Sequence, residues 1–143
     1  TISDEPLPAQ YEELANVTRM FKEVDPKHPA LINNNKPSTF NDYISLVQPN
    51  ELMFDPYFFI WDVIPYSGPG FQRAVSSYAL NVLNQRNSAL NSKILFWVIP
   101  QAVSWDQPPP SKANRQLQPK EIRLQAYLAL AFLSKILLSL SLW

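Results

Sequence analysis

Short apolar runs alternate along this chain with longer amphipathic stretches, and the runs end in polar or acidic tips. The clearest run, Ile94-Leu95-Phe96-Trp97-Val98, shows no polar–apolar alternation, so a strand built from it must be buried on both faces. That demand is met when helices cover a sheet, and the stretches between the runs supply them. Strands separated by whole helices pair in parallel, because a tight hairpin cannot join them. The expected fold class is α/β, with parallel strands alternating with helices.

Counting a stub at Thr1-Ile2, the pattern gives five strands and four intervening helices. Pro8 to Val24 places Tyr11, Leu14, Ala15, Thr18, Phe21 and Lys22 at helical spacing, and Asp25-Pro26 ends that helix. Pro29-Ala30-Leu31-Ile32-Asn33 reads as a buried strand over 30–33 with a polar tip. Thr39 to Val47 reads as a short helix, and 51–55 as a strand running into Asp55-Pro56-Tyr57. Gly68 and Gly70 open a helix expected from Phe71 to Gln85, followed by the strand at 94–99. Pro119 in a first turn starts a helix over Lys120 to Lys135, and Ile136 to Trp143 reads as the last strand.

Composition narrows the function classes. Lys plus Arg (12) equals Asp plus Glu (12), so neither a nucleic-acid partner nor an anionic membrane surface is expected. There is no cysteine, which removes thiolate chemistry and leaves the compartment open. The one histidine, His28, sits in the turn-rich Asp25-Pro26-Lys27-His28-Pro29 and reads as a loop residue; no metal site and no cofactor are expected. The apolar stretch Ile136 to Trp143 is too short to cross a bilayer. Glycine occurs only twice against 14 prolines, so turns needing positive φ must use other residues. Asparagine, as in Asn33-Asn34-Asn35, or polar loops are the expected substitutes.

Carboxylates at strand tips are the candidate chemistry. Ser3-Asp4-Glu5-Pro6 reads in one of two ways. The pair caps the first helix through its dipole and free N–H groups. Alternatively Glu5 is a general acid/base that Asp4 orients or whose proton Asp4 retains by like-charge repulsion. Asp55-Pro56-Tyr57 is either an Asp-capped turn or a second site, with Asp55 as the second carboxylate and Tyr57 as a hydroxyl donor to substrate. Among the aromatics, Trp105 and Trp143 are the candidate stacking platforms for sugar rings.

These motifs carry a resemblance. Asp4-Glu5-Pro6, then Asp25-Pro26-Lys27-His28-Pro29-Ala30 leading into Asn33, then Phe54-Asp55-Pro56-Tyr57, resemble the latter half of a (β/α)8-barrel glycoside hydrolase of the bacterial β-galactosidase-like kind. The helix Pro119-Lys120-Glu121-Ile122-Arg123-Leu124-Gln125-Ala126-Tyr127 and the final run to Trp143 extend the likeness over nearly the whole chain. The resemblance implies that residues 1–143 form one partial domain, the second half of a TIM barrel. It implies an acid/base at Glu5 and a sugar site lined by Asn33, Tyr57, Gln101, Trp105 and Trp143. Retaining members carry a nucleophilic Glu where this chain has Pro100-Gln101, and the glycines of the last helix–strand junction are replaced by Phe132-Leu133-Ser134-Lys135-Ile136-Leu137-Leu138. Glu5 with Asp55 in an inverting reaction, or Asp4 with Glu5 in a substrate-assisted one, are the routes left open.

A complete barrel takes about 250 residues and eight strands. Half of one leaves unpaired strand edges. The expected partners are carbohydrate and either further copies of the chain or a complementing chain. The alternative function is a non-catalytic binding or structural remnant.

Overall fold

The computed structural model describes residues 3–58, 68–102, 117–132 and 135–136. The elements, in chain order, are β1 (Ser3–Asp4), α1 (Tyr11–Val24), β2 (Ile32–Asn33), α2 (Phe40–Val47), β3 (Glu51–Phe54), α3 (Gly68–Asn91), β4 (Leu95–Val98), α4 (Pro119–Ala131) and β5 (Lys135–Ile136). Single 3-10 turns at Pro8–Gln10 and Pro37–Thr39 lead into α1 and α2. The strands lie in one sheet in the order of the sequence, β1-β2-β3-β4-β5. β1 pairs with β2 in parallel, Ser3 opposite Ile32 and Asp4 opposite Asn33, and β2 pairs with β3 in parallel, Asn33 opposite Met53. The protein is α/β, as the alternation of runs requires.

The chain divides into two compact units, Thr1–Phe54 with Asn84–Trp97, and Asp55–Leu83 with Val98–Trp143. In the first, α1 and α2 lay Tyr11, Leu14, Phe40, Tyr43 and Val47 on a core shared with Ile32, Leu52 and Phe54. Two edge-to-face ring pairs join the layers: Phe40 meets Phe54 with centroids 5.7 Å apart, and Tyr11 meets Tyr43 at 5.4 Å. Trp97 on β4 donates its indole N–H to the Glu51 carboxylate on β3. In the second unit the core includes Ala74, Tyr78 and Val82 of α3, Val98, Leu117 and Ala129 of α4.

Two helical segments start with the same device. Pro8 and Pro119 occupy first-turn positions, where a missing N–H costs nothing. Gln10 and Glu121 then reach back: Leu7 N–H donates to Gln10 Oε1 at 2.7 Å, and Gln118 N–H to Glu121 Oε2 at 2.9 Å.

The ends of elements depart from the expected boundaries. Thr1-Ile2 lies outside the described residues, and the first strand is Ser3–Asp4. α3 continues two turns past Gln85 to Asn91, because Gln85 and Ala89 are fully buried and keep that face of the helix packed. It stops at Lys93, which has φ +56°; Lys93 N–H donates to Leu90 O at 3.1 Å and Ile94 N–H to Ala89 O at 3.0 Å. This is a Schellman end with lysine where glycine is usual. α2 also ends on a left-handed residue, Gln48 with φ +51°, but by the single-bond cap, its N–H donating to Ile44 O at 3.0 Å. Asparagine and polar loops were the expected substitutes; Asn33 is in β2, and Asn34 accepts the Lys36 N–H at 3.0 Å in a local turn. Left-handed backbone falls instead on Glu5, Gln48 and Lys93 among the described non-glycine residues. α4 ends at Ala131, short of the expected Lys135, because Phe132 N–H is shared between Leu128 O and Ala129 O and tightens the last turn. Lys135 belongs to β5.

The structure predicts that Lys93→Gly stabilises the chain. A left-handed side-chain-bearing residue costs about 1–2 kcal/mol, partly offset by the larger unfolded-state entropy of glycine. The net gain is about 0.5–1 kcal/mol in urea unfolding, whereas Lys93→Ala gives no such gain.

Two buried tyrosines make an opposite-signed pair. Tyr78 donates its hydroxyl to Gln125 O at 3.1 Å, whereas the buried Tyr43 hydroxyl has no hydrogen-bond partner. Tyr78→Phe removes a buried hydrogen bond and lowers stability by about 1 kcal/mol, while Tyr43→Phe removes an orphan and is neutral or stabilising. Burial pushes both phenols well above their ordinary pKa, with the nearby Tyr11 adding to the effect at Tyr43. A group whose neutral acid is favoured by folding contributes no pH dependence below its unfolded pKa near 10 and loses stability above it. Denaturant midpoints measured between pH 8 and 11 should fall only above about pH 10, and less steeply in either Phe variant.

Candidate functional site

The tip of β1 is a backbone feature before it is a chemical one. Glu5 has φ +48°, a conformation that glycine adopts freely and glutamate does not. A proline follows it, which further narrows the backbone choices of Glu5 towards extended conformations. The strain is held by Asn33 on the neighbouring strand: Glu5 N–H donates to Asn33 O at 2.8 Å. The same asparagine fixes the preceding side chain, donating Nδ2–H to Asp4 Oδ1 at 2.8 Å.

Only the amide nitrogen can donate to a carboxylate, so this bond also sets which way the Asn33 amide lies. Its Oδ1 is then a buried acceptor without a partner. Asn33 is 4% exposed, while Asp4 and Glu5 are exposed. Asn33 thus ties down both the Asp4 side chain and the Glu5 backbone, at a strand tip where the Glu5 side chain is exposed. Below it, Asn34 N–H donates to Met53 O at 3.0 Å, and Asn34 Nδ2–H reaches the Tyr11 hydroxyl at 3.4 Å. Tyr11 in turn shares a 2.8 Å hydrogen bond with Thr39.

The other candidates belong to the second unit. Asp55 is buried, 7% exposed, directly after β3, and Tyr57 is half-buried. Gln101 is fully buried; its N–H donates to Gln125 Oε1 at 2.9 Å and its carbonyl accepts from Gln125 Nε2–H at 3.2 Å. This reciprocal pair makes the Gln125 side chain behave as a piece of neighbouring strand. Sequence reading missed Gln125, whose only signal was a polar residue in the helical row Glu121, Gln125, Ala129, all buried. Trp105 and Trp143 lie outside the described residues.

The capping alternative for Asp4-Glu5 has a geometric answer. The Asp4 carboxylate is bonded across the sheet, and the N-terminal segment of the first helical stretch is capped by Gln10. His28 sits in the turn after α1, with Nδ1 2.8 Å from Asp25 Oδ2. Its hydrogen bond, supported by its charge, lowers the Asp25 pKa below the usual carboxylate range. Among the described residues there is no group of three or more His, Cys, Asp or Glu side chains fit for a metal, and no helix long and apolar enough to cross a membrane.

Asn33→Asp tests the clamp. It replaces the donor to Asp4 with a second carboxylate, so folding raises the pKa of the pair and the penalty is present when both are ionised. The variant should lose about 1–3 kcal/mol at pH 7. It should recover toward wild type as the pH falls below about 4. A loss that persists unchanged at pH 3.5 would place the defect elsewhere.

No protein-family model, no curated protein and no solved structure matches this chain.

Proposed function

We propose that this chain is the latter half of a (β/α)8-barrel glycoside hydrolase-like domain acting on carbohydrate, with Glu5 as general acid/base. The observation that carries the reading is the left-handed backbone of Glu5. Strain at a non-glycine residue persists only where its surroundings over-determine it, and such residues cluster at active sites. Here Asn33 holds both the Glu5 backbone and the Asp4 side chain, and the Glu5 carboxyl remains exposed. The sheet order and parallel pairings also suit the half-barrel reading, in which strands follow one another around a barrel wall.

In the proposed mechanism Glu5 delivers a proton to the glycosidic oxygen and Asp4, fixed by Asn33, orients it. The free Asn33 Oδ1 is an acceptor for a sugar hydroxyl. A carboxylate nucleophile is not supplied at the seventh-strand tip of the family pattern, where Gln101 stands. Of the two routes left open, the substrate-assisted one, with Asp4 beside Glu5, stays within the first unit. The barrel is completed by further copies or by a complementing chain.

The buried Gln101 favours a second reading, a carbohydrate-binding remnant without hydrolysis. Glu5→Gln separates them. For the hydrolase, the variant should lose at least about 100-fold in aryl-glycoside hydrolysis, the scale of general acid catalysis, while oligosaccharide binding by calorimetry changes less than about threefold. If the assembled wild-type chain binds sugars but hydrolyses none of a broad aryl-glycoside panel, the remnant reading stands.

A further inference from the structure

A second candidate site lies away from the strand tips. α1 runs back from the β1 tip towards the start of β2, and the last turns of α1 and α2 flank a groove of about 220 Å³. Its α1 side carries Thr18, Arg19 and Lys22, and its α2 side carries Leu46, Val47 and Gln48. Two cations and no acidic side chain line it. Thr18 is 1% exposed, and its hydroxyl has no hydrogen-bond partner. A buried orphan hydroxyl costs about 1–3 kcal/mol and calls for an explanation.

The ordinary account of this region covers only part of it. Lys22 Nζ donates to Gln48 O at 2.6 Å, which satisfies a free carbonyl at the end of α2 and offsets the negative pole of that helix. Arg19 Nη2–H donates to Asn16 Oδ1 at 2.6 Å. Each cation uses one donor, and lysine has three and arginine five. Two spare cationic donor sets, an orphan hydroxyl and an apolar wall from Leu46 and Val47 remain unexplained by helix capping.

We propose that the groove between α1 and α2 binds a small organic oxyanion, with Arg19 and Lys22 taking its carboxylate or phosphate and Leu46 and Val47 its apolar body. Arginine's planar fork matches two oxygens of such a group, and a lysine at the rim adds a point charge. Thr18 lines the groove, and its hydroxyl gains a partner when a ligand oxygen reaches it. The site is independent of the carbohydrate reading, because it shares no residue with the strand tip.

The test is a titration of the ¹⁵N-labelled full chain, followed by amide shifts. Sodium benzoate, inorganic phosphate and, at matched ionic strength, sodium chloride are the probes. Saturable shifts at residues 18–22 and 46–48 with benzoate, phosphate or both support the site, and the tighter probe identifies the oxyanion. Arg19→Gln, which leaves the Lys22–Gln48 bond intact, should weaken binding about tenfold, the loss of one charge-assisted hydrogen bond. Thr18→Val keeps the shape and should weaken it about threefold, as for a neutral bond. Shifts that match those of chloride, or an affinity unchanged in Arg19→Gln, overturn the proposal.

Discussion

Asn33 does three things at once, and the first unit is organised around them. As a strand residue it sits opposite both Asp4 and Met53, which fixes the register of three parallel strands. Its carbonyl holds the Glu5 N–H, and its side-chain amide holds Asp4. A slip of one residue in β2 would exchange the faces of Ile32 and Asn33, both buried, taking Ile32 from its place in the core and Asn33 from its place beside Asp4. The packing of Ile32 against α1 and α2 and the geometry of the acidic tip are thus set by the same register.

Scarcity of glycine shapes where strain appears. Gln48 and Lys93 take left-handed backbone at helix ends, where a cap demands it and glycine is the usual answer. Glu5 ends no helix; it follows a strand and precedes Pro6, a buried residue. Its strain therefore has no capping rationale, and the exposed carboxyl that it presents is what distinguishes this turn from the other two. The αL backbone turns the chain after β1 so that Leu7 and Pro8 can begin the helical stretch.

Much of the fold was legible because it follows from burial. The unbroken run at Ile94 to Val98 demanded cover on both faces, and the amphipathic spacing of Tyr11, Leu14 and Thr18 supplied part of it. Pro8 and Pro119 marked helix starts correctly, since their missing N–H is harmless there. The end of α3 was not legible. Arg86 to Ser88 is polar enough to read as a loop, and only tertiary packing of Gln85 and Ala89 shows that the helix continues. At the site, the Asp4-Glu5 pair stood out by composition, whereas the Asn33 bonds depend on cross-strand register. The buried Gln101–Gln125 pair was hidden for the same reason: a glutamine in a helix gives no sequence sign that it completes a neighbouring backbone.

The account turns on whether Glu5 is held in a strained conformation for the sake of its carboxyl. Glu5→Gly and Glu5→Ala both remove that carboxyl, but only glycine relieves the left-handed backbone. The decisive measurement is the difference in unfolding free energy between these two variants by urea denaturation at pH 7. The account predicts that Glu5→Gly is more stable than Glu5→Ala by about 1 kcal/mol. Equal stabilities, or a less stable glycine variant, would mean that the backbone at Glu5 is relaxed and that its geometry carries no sign of function.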